Sequence, residues 1–408
     1  MIGTCWFTAV LNAVFSTGYA EEAKEGAAAS GDAVAEKVLR YGIFDVRPTI
    51  QGGVLFDDNI FTSPTPGMED EDLIWYVTPG ITLGAGDYQE GAGNLLLMSY
   101  APRLSFFTHN SSENSVDHEA KISGRYLTGP WTFSLQQTYL QTHDNVVDAG
   151  TRVDRDFWVT SGSAKYELSP KTLLDVFGSA SFNEYEGYER NDGSDVDPLC
   201  YNEYVGGVGA DYLFSPKVWF GPAFRFGSVQ QKDAPDQNYQ QFLLRGNYQS
   251  TEKLKFVGSA GVELRHFQGS DAEDSEVNPV FEFGVAYRAS EPTTLSLDGY
   301  RREQPSTTDP EANYSTMGVS GGVSHTFRQF YTASVRAGYE HLDYTSRRTT
   351  VADPDREDDY FFARFGFDFQ PQRDLTVGIW YQYRQNDSDD ALYEFDNNQV
   401  GLSFAYRF

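Results

Sequence analysis

Seven arginines, Arg225, Arg245, Arg265, Arg336, Arg364, Arg384 and Arg407, lie in stretches of alternating polarity, each on the polar side of its stretch. Arg125 and Arg288 take the same parity near short turns, and Glu263, Glu282, Asp298, Glu340 and Asp368 share these polar faces. Guanidinium and carboxylate groups so placed have two uses. They can line an aqueous conduit and attract anionic or hydroxyl-rich solutes, or they can pair and brace a wall without selecting anything. Pairing is the favoured role for any one arginine, while the set as a lining is evenly balanced between the two. The candidate pore-lining residues are Arg225, Arg245, Arg265, Arg336, Arg364 and Arg384, with Glu263, Glu340 and Asp368.

Other chemistries find less support. A hydrolase would need one of His109, His118, His143, His266, His325 or His341 beside a serine nucleophile. The nearest arrangement is Ser324-His325, and consecutive strand residues point to opposite faces, so no enzyme is expected. Acidic runs at Glu69 to Asp72, Asp271 to Asp274 and Arg356 to Asp359 offer oxygen ligands to hard cations. None has the spacing of a dedicated calcium loop. They read as solvated loops that bridge lipopolysaccharide through divalent ions or keep the surface soluble. With only Cys5 and Cys200, and Cys5 in a segment expected to be removed, neither a disulfide framework nor a thiolate metal centre is possible. Cys200 is left as a free thiol in a long loop. No metal and no cofactor is called for.

The elements that position the arginines must be strands. The chain of 408 residues has 31 Lys and Arg against 59 Asp and Glu, a formal charge of −28 that disfavours nucleic acid as a partner. Aromatic residues make up 15% of it, with 30 Phe and 26 Tyr, which excludes disorder for most of the chain and favours strands. Residues 1–20 are apolar and end in small residues, so a signal peptide cleaved after Ala20 is expected. Residues 21–40 are Ala-rich and charged, which suits a flexible periplasmic segment. No later stretch offers the roughly 18 apolar residues of a spanning helix, so a membrane-bound form must cross with strands.

From residue 41 to 408 the chain repeats one theme: an alternating stretch, a short turn, another alternating stretch, a long polar loop. The short turns form a series that includes Leu127-Thr128-Gly129-Pro130, Leu168-Ser169-Pro170-Lys171, Phe214-Ser215-Pro216-Lys217 and Gln370-Pro371-Gln372-Arg373. Nine long loops alternate with them, among them Asp57 to Asp72, Asp144 to Asp154, Glu189 to Tyr201, Pro305 to Glu311 and Arg347 to Asp359. Each long loop joins two strands, which predicts about 18 strands in a transmembrane antiparallel up-and-down β-barrel, with the short turns in the periplasm. Alternation would also suit a secreted β-sandwich or a propeller. Two features favour the barrel. Apolar faces such as Val400, Leu402, Phe404, Tyr406 and Phe408 end in rings, and the opposite faces are small or charged, as a water-filled lumen needs.

The opening stretch Asp45-Val46-Arg47-Pro48-Thr49-Ile50-Gln51-Gly52-Gly53-Val54-Leu55-Phe56-Asp57-Asp58-Asn59-Ile60-Phe61 resembles that of the outer-membrane β-barrel porins of the porin-2 type, in which a proline-containing strand runs into an aromatic-Asp-Asn-Ile motif. The terminal Tyr406-Arg407-Phe408 resembles the C-terminal strand signal read by the barrel-assembly machinery. The resemblance implies a Gram-negative outer-membrane barrel in contact with lipid and lipopolysaccharide. The expected function is passive diffusion of small hydrophilic solutes. The alternative is a structural or export-associated barrel, serving polysaccharide secretion or the envelope, without general pore activity. If the barrel conducts, the lining arginines are expected to favour anions, because much of the acid lies in screened loops.

Overall fold

In the computed structural model the chain is described over residues 39–64, 69–88, 93–189, 193, 195–232, 234–249, 251–268, 275–308, 312–346 and 356–408. The expected signal peptide over residues 1–20, residues 21–38 of the expected periplasmic segment, the acidic run Asp271 to Asp274 and most of the Arg347 to Asp359 loop lie outside these residues.

Alternation over 12 to 19 residues per strand winds the chain into one antiparallel meander from Phe44–Asp57 to Phe395–Arg407. The meander closes on itself: the first strand pairs with the last from Thr49↔Arg407 to Asp57↔Gln399. Counting the interrupted third strand once, the wall has eighteen strands, as the loop series predicts. Closure removes the sheet edges that a bilayer would leave unsatisfied. The third strand breaks between Leu95–Tyr100 and Arg103–Phe107. Its Pro102 continues the register that places Ile81 opposite Tyr100 and Val77 opposite Leu104, so it faces Pro79. Two prolines in apposition have no N–H for the ladder. A short strand, Leu39–Tyr41, folds back onto Phe44–Val46 through Gly42, whose φ of +63° suits a residue without Cβ. The turn between Gly86 and Leu95 completes the short-turn rim ahead of the series read from sequence.

Parity sorts the two faces as expected. Val377, Ile379, Tyr381, Phe365, Phe367, Phe369, Val400, Leu402 and Phe404 are exposed on the outside. Rings gather at both margins of this apolar band: Trp131 on Tyr166 (centroids 4.8 Å apart) and Tyr331 on Phe369 (5.0 Å) near the short turns, and Tyr139 on Trp158 (4.2 Å) toward the other rim. These are two interfacial girdles. Among the described residues, no helix is long and apolar enough to cross a membrane.

The interior is not empty. Ile60, from the first long loop, is fully buried against Leu55, Ile74 and Phe107 of the wall, with Phe61 and Trp380 beside it. Wall glycines make room for rings laid flat on the lumenal side: a Cβ on Gly401 would lie 2.4 Å from the Trp380 indole.

Candidate functional site

The lumenal arginines fall into two groups by partner. Arg245 reaches two carboxylates on strands further round the wall, donating from Nε to Asp211 at 3.0 Å and from Nη1 to Asp175 at 3.2 Å, with a further ion pair to each. Arg265 donates to Glu263 at 2.7 Å and to the Gln237 amide oxygen at 2.7 Å, and both members of this ion pair are buried. Arg336 bonds Ser320 at 2.8 Å and Asp298 at 3.4 Å. For Arg245 and Arg265 the bracing role applies, since a buried guanidinium needs a carboxylate to offset its desolvation, whereas the Arg336–Asp298 pair is partly exposed.

Arg225, Arg364 and Arg384 differ. They donate to side-chain amide oxygens of Gln241 (3.5 Å), Gln382 (2.9 Å) and Asn397 (2.8 and 3.0 Å), which carry no compensating charge. Arg364 also lies over the Trp380 ring at 3.9 Å, and Arg103 over Tyr76 at 4.2 Å. Rings hold these two guanidinium planes against the wall. Register places Phe362 opposite Arg384 and Arg364 opposite Gln382, so Arg364 and Arg384 are diagonal neighbours. Of the candidate acids, Glu263 is consumed by Arg265. Glu340 and Asp368 keep lumenal parity on the strands Tyr331–Ser346 and Arg356–Gln372.

Asp72 and Asp358, from the two acidic runs with described residues, serve structure. Asp72 is buried and accepts backbone N–H bonds from Thr108 (2.9 Å), His109 (3.1 Å) and Asn110 (2.7 Å), pinning the loop after the third strand. Asp358 is consumed by an ion pair with Arg356. Among the described residues no cluster of His, Cys, Asp and Glu is arranged to hold a metal ion. His325 bonds the Thr293 hydroxyl at 2.7 Å on the outer face, away from Ser324. Cys200 Sγ lies 3.3 Å from the Tyr185 amide nitrogen and 3.7 Å from its carbonyl oxygen.

What parity could not deliver is the mouth. Asp148, in the turn after the fifth strand, accepts the Thr307 amide at 2.8 Å and its hydroxyl at 2.5 Å, with Ser306 Oγ at 3.4 Å. Arg356 lies over the Tyr393 ring at 3.3 Å and the Tyr344 ring at 4.3 Å while donating to the carbonyls of Val147 and Asp148. The Thr62 hydroxyl bonds the Gly150 carbonyl at 3.2 Å, and Leu199 donates its N–H to Thr307 O at 2.8 Å. Segments of five long loops and the strand end at Arg356 thus meet over the lumen. Asp57 to Asp72, Asp144 to Asp154, Glu189 to Tyr201 and Pro305 to Glu311 are recognisable in the sequence as long polar loops, but not as loops that fold inward. The sequence singles out none of Asp148, Thr307 or Tyr393, and offers Arg356 only as part of an acidic run, because nothing local distinguishes an inward polar loop from a solvated one. Arg103 and Arg302 follow the lumenal parity and were legible in principle.

Comparison with known proteins adds the following. No curated protein sequence matches the chain. Among solved structures, it is similar to Acinetobacter baumannii OccAB3 (10% identity, TM-score 0.47, covering 90% of this chain and 100% of that one). It is also similar to Pseudomonas aeruginosa OccK2, or OpdF (14%, 0.47, 89% and 98%), and to Pseudomonas aeruginosa OpdQ (11%, 0.45, 89% and 98%). The Asp45 to Phe61 motif lies outside the family match, whereas Phe408 lies within it. The model of the family described as "Putative beta-barrel porin 2" matches residues 278–408, the last seven strands of the wall.

Proposed function

We propose that the protein is a porin-like channel of the bacterial outer membrane, through which small hydrophilic solutes diffuse passively. One observation carries this reading: a closed eighteen-strand wall with a lipid-compatible exterior surrounds an interior lined by polar and charged side chains. A barrel of this strand number is wide enough to hold an aqueous path. Solutes pass the sector formed by Arg103, Arg364 and Arg384, whose guanidinium groups bond neutral partners or rest on rings. This sector biases the channel toward anions, since charge at the path acts directly on the permeating ion while loop charge is screened. Planar-bilayer recording of the purified, folded protein tests the proposal. Discrete single-channel steps are expected, and a protein that inserts without conducting would overturn it.

A second reading, a structural or export-associated barrel, draws support from the loops that meet over the lumen. It predicts that the bilayer stays silent, so the same recording separates the two. Lipopolysaccharide and the barrel-assembly machinery are the proposed partners in the membrane, the latter through Phe408.

A further inference from the structure

The ladder between the strands Ser275–Ser290 and Thr293–Pro305 stops at Phe281↔Arg301. Both strands nevertheless continue toward the mouth. The first stays paired with Leu254–Phe267 as far as His266↔Ser275, and the second with Ala312–Phe327 as far as Pro305↔Asn313. Residues 275–280 and 302–305 are therefore two strand edges that have parted, with no ladder between them among the described residues. An open edge leaves backbone donors and acceptors without sheet partners. Each edge contains a proline, Pro279 or Pro305, a residue that strands accommodate at edges.

The second edge has moved to the inside. Arg265 donates to the Glu303 carbonyl at 3.4 Å, and the amides of Gln237 and Asn313 bond reciprocally at 2.8 and 3.0 Å although their strands are not neighbours. Further along, Gln231 donates to the Ser306 carbonyl at 2.6 Å, and the Asp148 carboxylate takes the Thr307 amide and hydroxyl. The arm 312–316 keeps its ladder with the next strand from Ala312↔Ser346 to Thr316↔Leu342, and from that support the arm 302–308 leans into the lumen and fastens to strands and loops well round the wall.

We propose that this hairpin, through its described arms 302–308 and 312–316, is the gate of the channel and has two seats. In the inward seat it is latched by Asp148, Gln231 and Gln237. In the wall seat the interrupted ladder resumes beyond Phe281↔Arg301, which sets Val280 opposite Arg302, Asn278 opposite Gln304 and Glu276 opposite Ser306. Strand alternation already gives Glu276, Asn278 and Val280 the lumenal parity of Arg302, Gln304 and Ser306, so the wall seat turns no side chain into lipid. Moving between seats exchanges one set of hydrogen bonds for another, and such exchanges leave two states close in free energy. The gating role rests on the channel reading; the two seats do not.

Cysteine pairs in a Cys200→Ser background test it. Asn278→Cys with Gln304→Cys reports the wall seat, and Glu276→Cys with Ser306→Cys is the second register-matched pair should the first fail to fold. Asp148→Cys with Thr307→Cys reports the inward seat. Folding is checked by heat-modifiable migration, crosslinking by mass spectrometry after mild oxidation in membranes, and gating by single-channel recording before and after reductant. Both seats are expected to crosslink. The inward crosslink should hold a low-conductance level that reductant abolishes, and the wall crosslink should hold a high one. Folded protein that crosslinks Asp148→Cys with Thr307→Cys but neither wall pair would overturn the two-seat gate. Crosslinking of both seats without channel steps in any state would leave the hairpin motion standing and overturn the channel reading.

Discussion

Asn397, in the last strand, donates its side-chain amide to Asp57 at the end of the first strand at 2.5 Å, across 340 residues of chain. The same amide lies 3.2 Å from Asp58 and 3.3 Å from the Asn59 carbonyl, and its oxygen accepts Arg384. Asp57 also takes the Asn59 amide and the Gln399 side chain, and Asp58 takes both the amide and side chain of Asn398. The Asp57-Asp58-Asn59-Ile60 motif is thus a clasp. It fastens the two ends of the barrel at the mouth and directs Ile60 into the lumen. Replacing Asn397 by Leu should cost about 1–3 kcal/mol for each buried partner left unsatisfied. Denaturant unfolding in micelles would show the loss, with faster proteolysis after Phe61. Unchanged stability and cleavage would show the clasp to be incidental.

Arg245 stands between two carboxylates whose side chains are nearly inaccessible, Asp175 and Asp211. Removing the guanidinium strands both charges, so Arg245→Ala should lower stability by about 3–5 kcal/mol. The triple variant that also carries Asp175→Asn and Asp211→Asn should recover most of that loss. Equal midpoints for the single and triple variants would contradict the bracing role.

Arg364 and Arg384 donate to the neutral amides of Gln382 and Asn397, and although the Asp368 carboxylate acts on Arg364, the pair is expected to bring net positive charge to the lumen. In a KCl gradient the wild-type reversal potential should have the sign of anion preference. Arg364→Gln with Arg384→Gln should move it toward the cation side. A cation-selective wild type would place the constriction away from this sector.

Topology can be read in whole cells with an impermeant maleimide in a Cys200→Ser background. Ala391→Cys, exposed in the last mouth loop, should label, and Lys171→Cys, in a short turn, should not. The reverse pattern would invert the barrel.

Phe408 directly follows the last strand, Phe395–Arg407, and packs edge-on to Tyr406 with centroids 4.9 Å apart. Deleting it should reduce the heat-modifiable folded fraction recovered from outer membranes, while refolding in detergent proceeds normally. Normal assembly in cells would remove the proposed recognition by the assembly machinery.

The strand meander, its eighteen passes and the sorting of faces were legible in the sequence because they follow from local rules. Parity along a strand fixes which side Val400 or Arg364 takes, and each long loop must join one ascending to one descending strand. A turn such as Arg328-Gln329, with both residues at positive φ, is equally local, although no glycine marks it. Which arginines are neutralised was not legible, since Arg245 meets Asp175 across 70 residues and the pairing depends on how strands sit side by side after closure. The mouth was least legible. An inward loop and a solvated one have the same polar composition, and only the assembled barrel brings Asp148 within reach of Thr307 or gives Ile60 an apolar wall to bury against. The sequence by itself determined the periodic wall, whose interactions repeat from strand to strand; tertiary structure decided the fill of the lumen, because its contacts join residues far apart in the chain and carry no period.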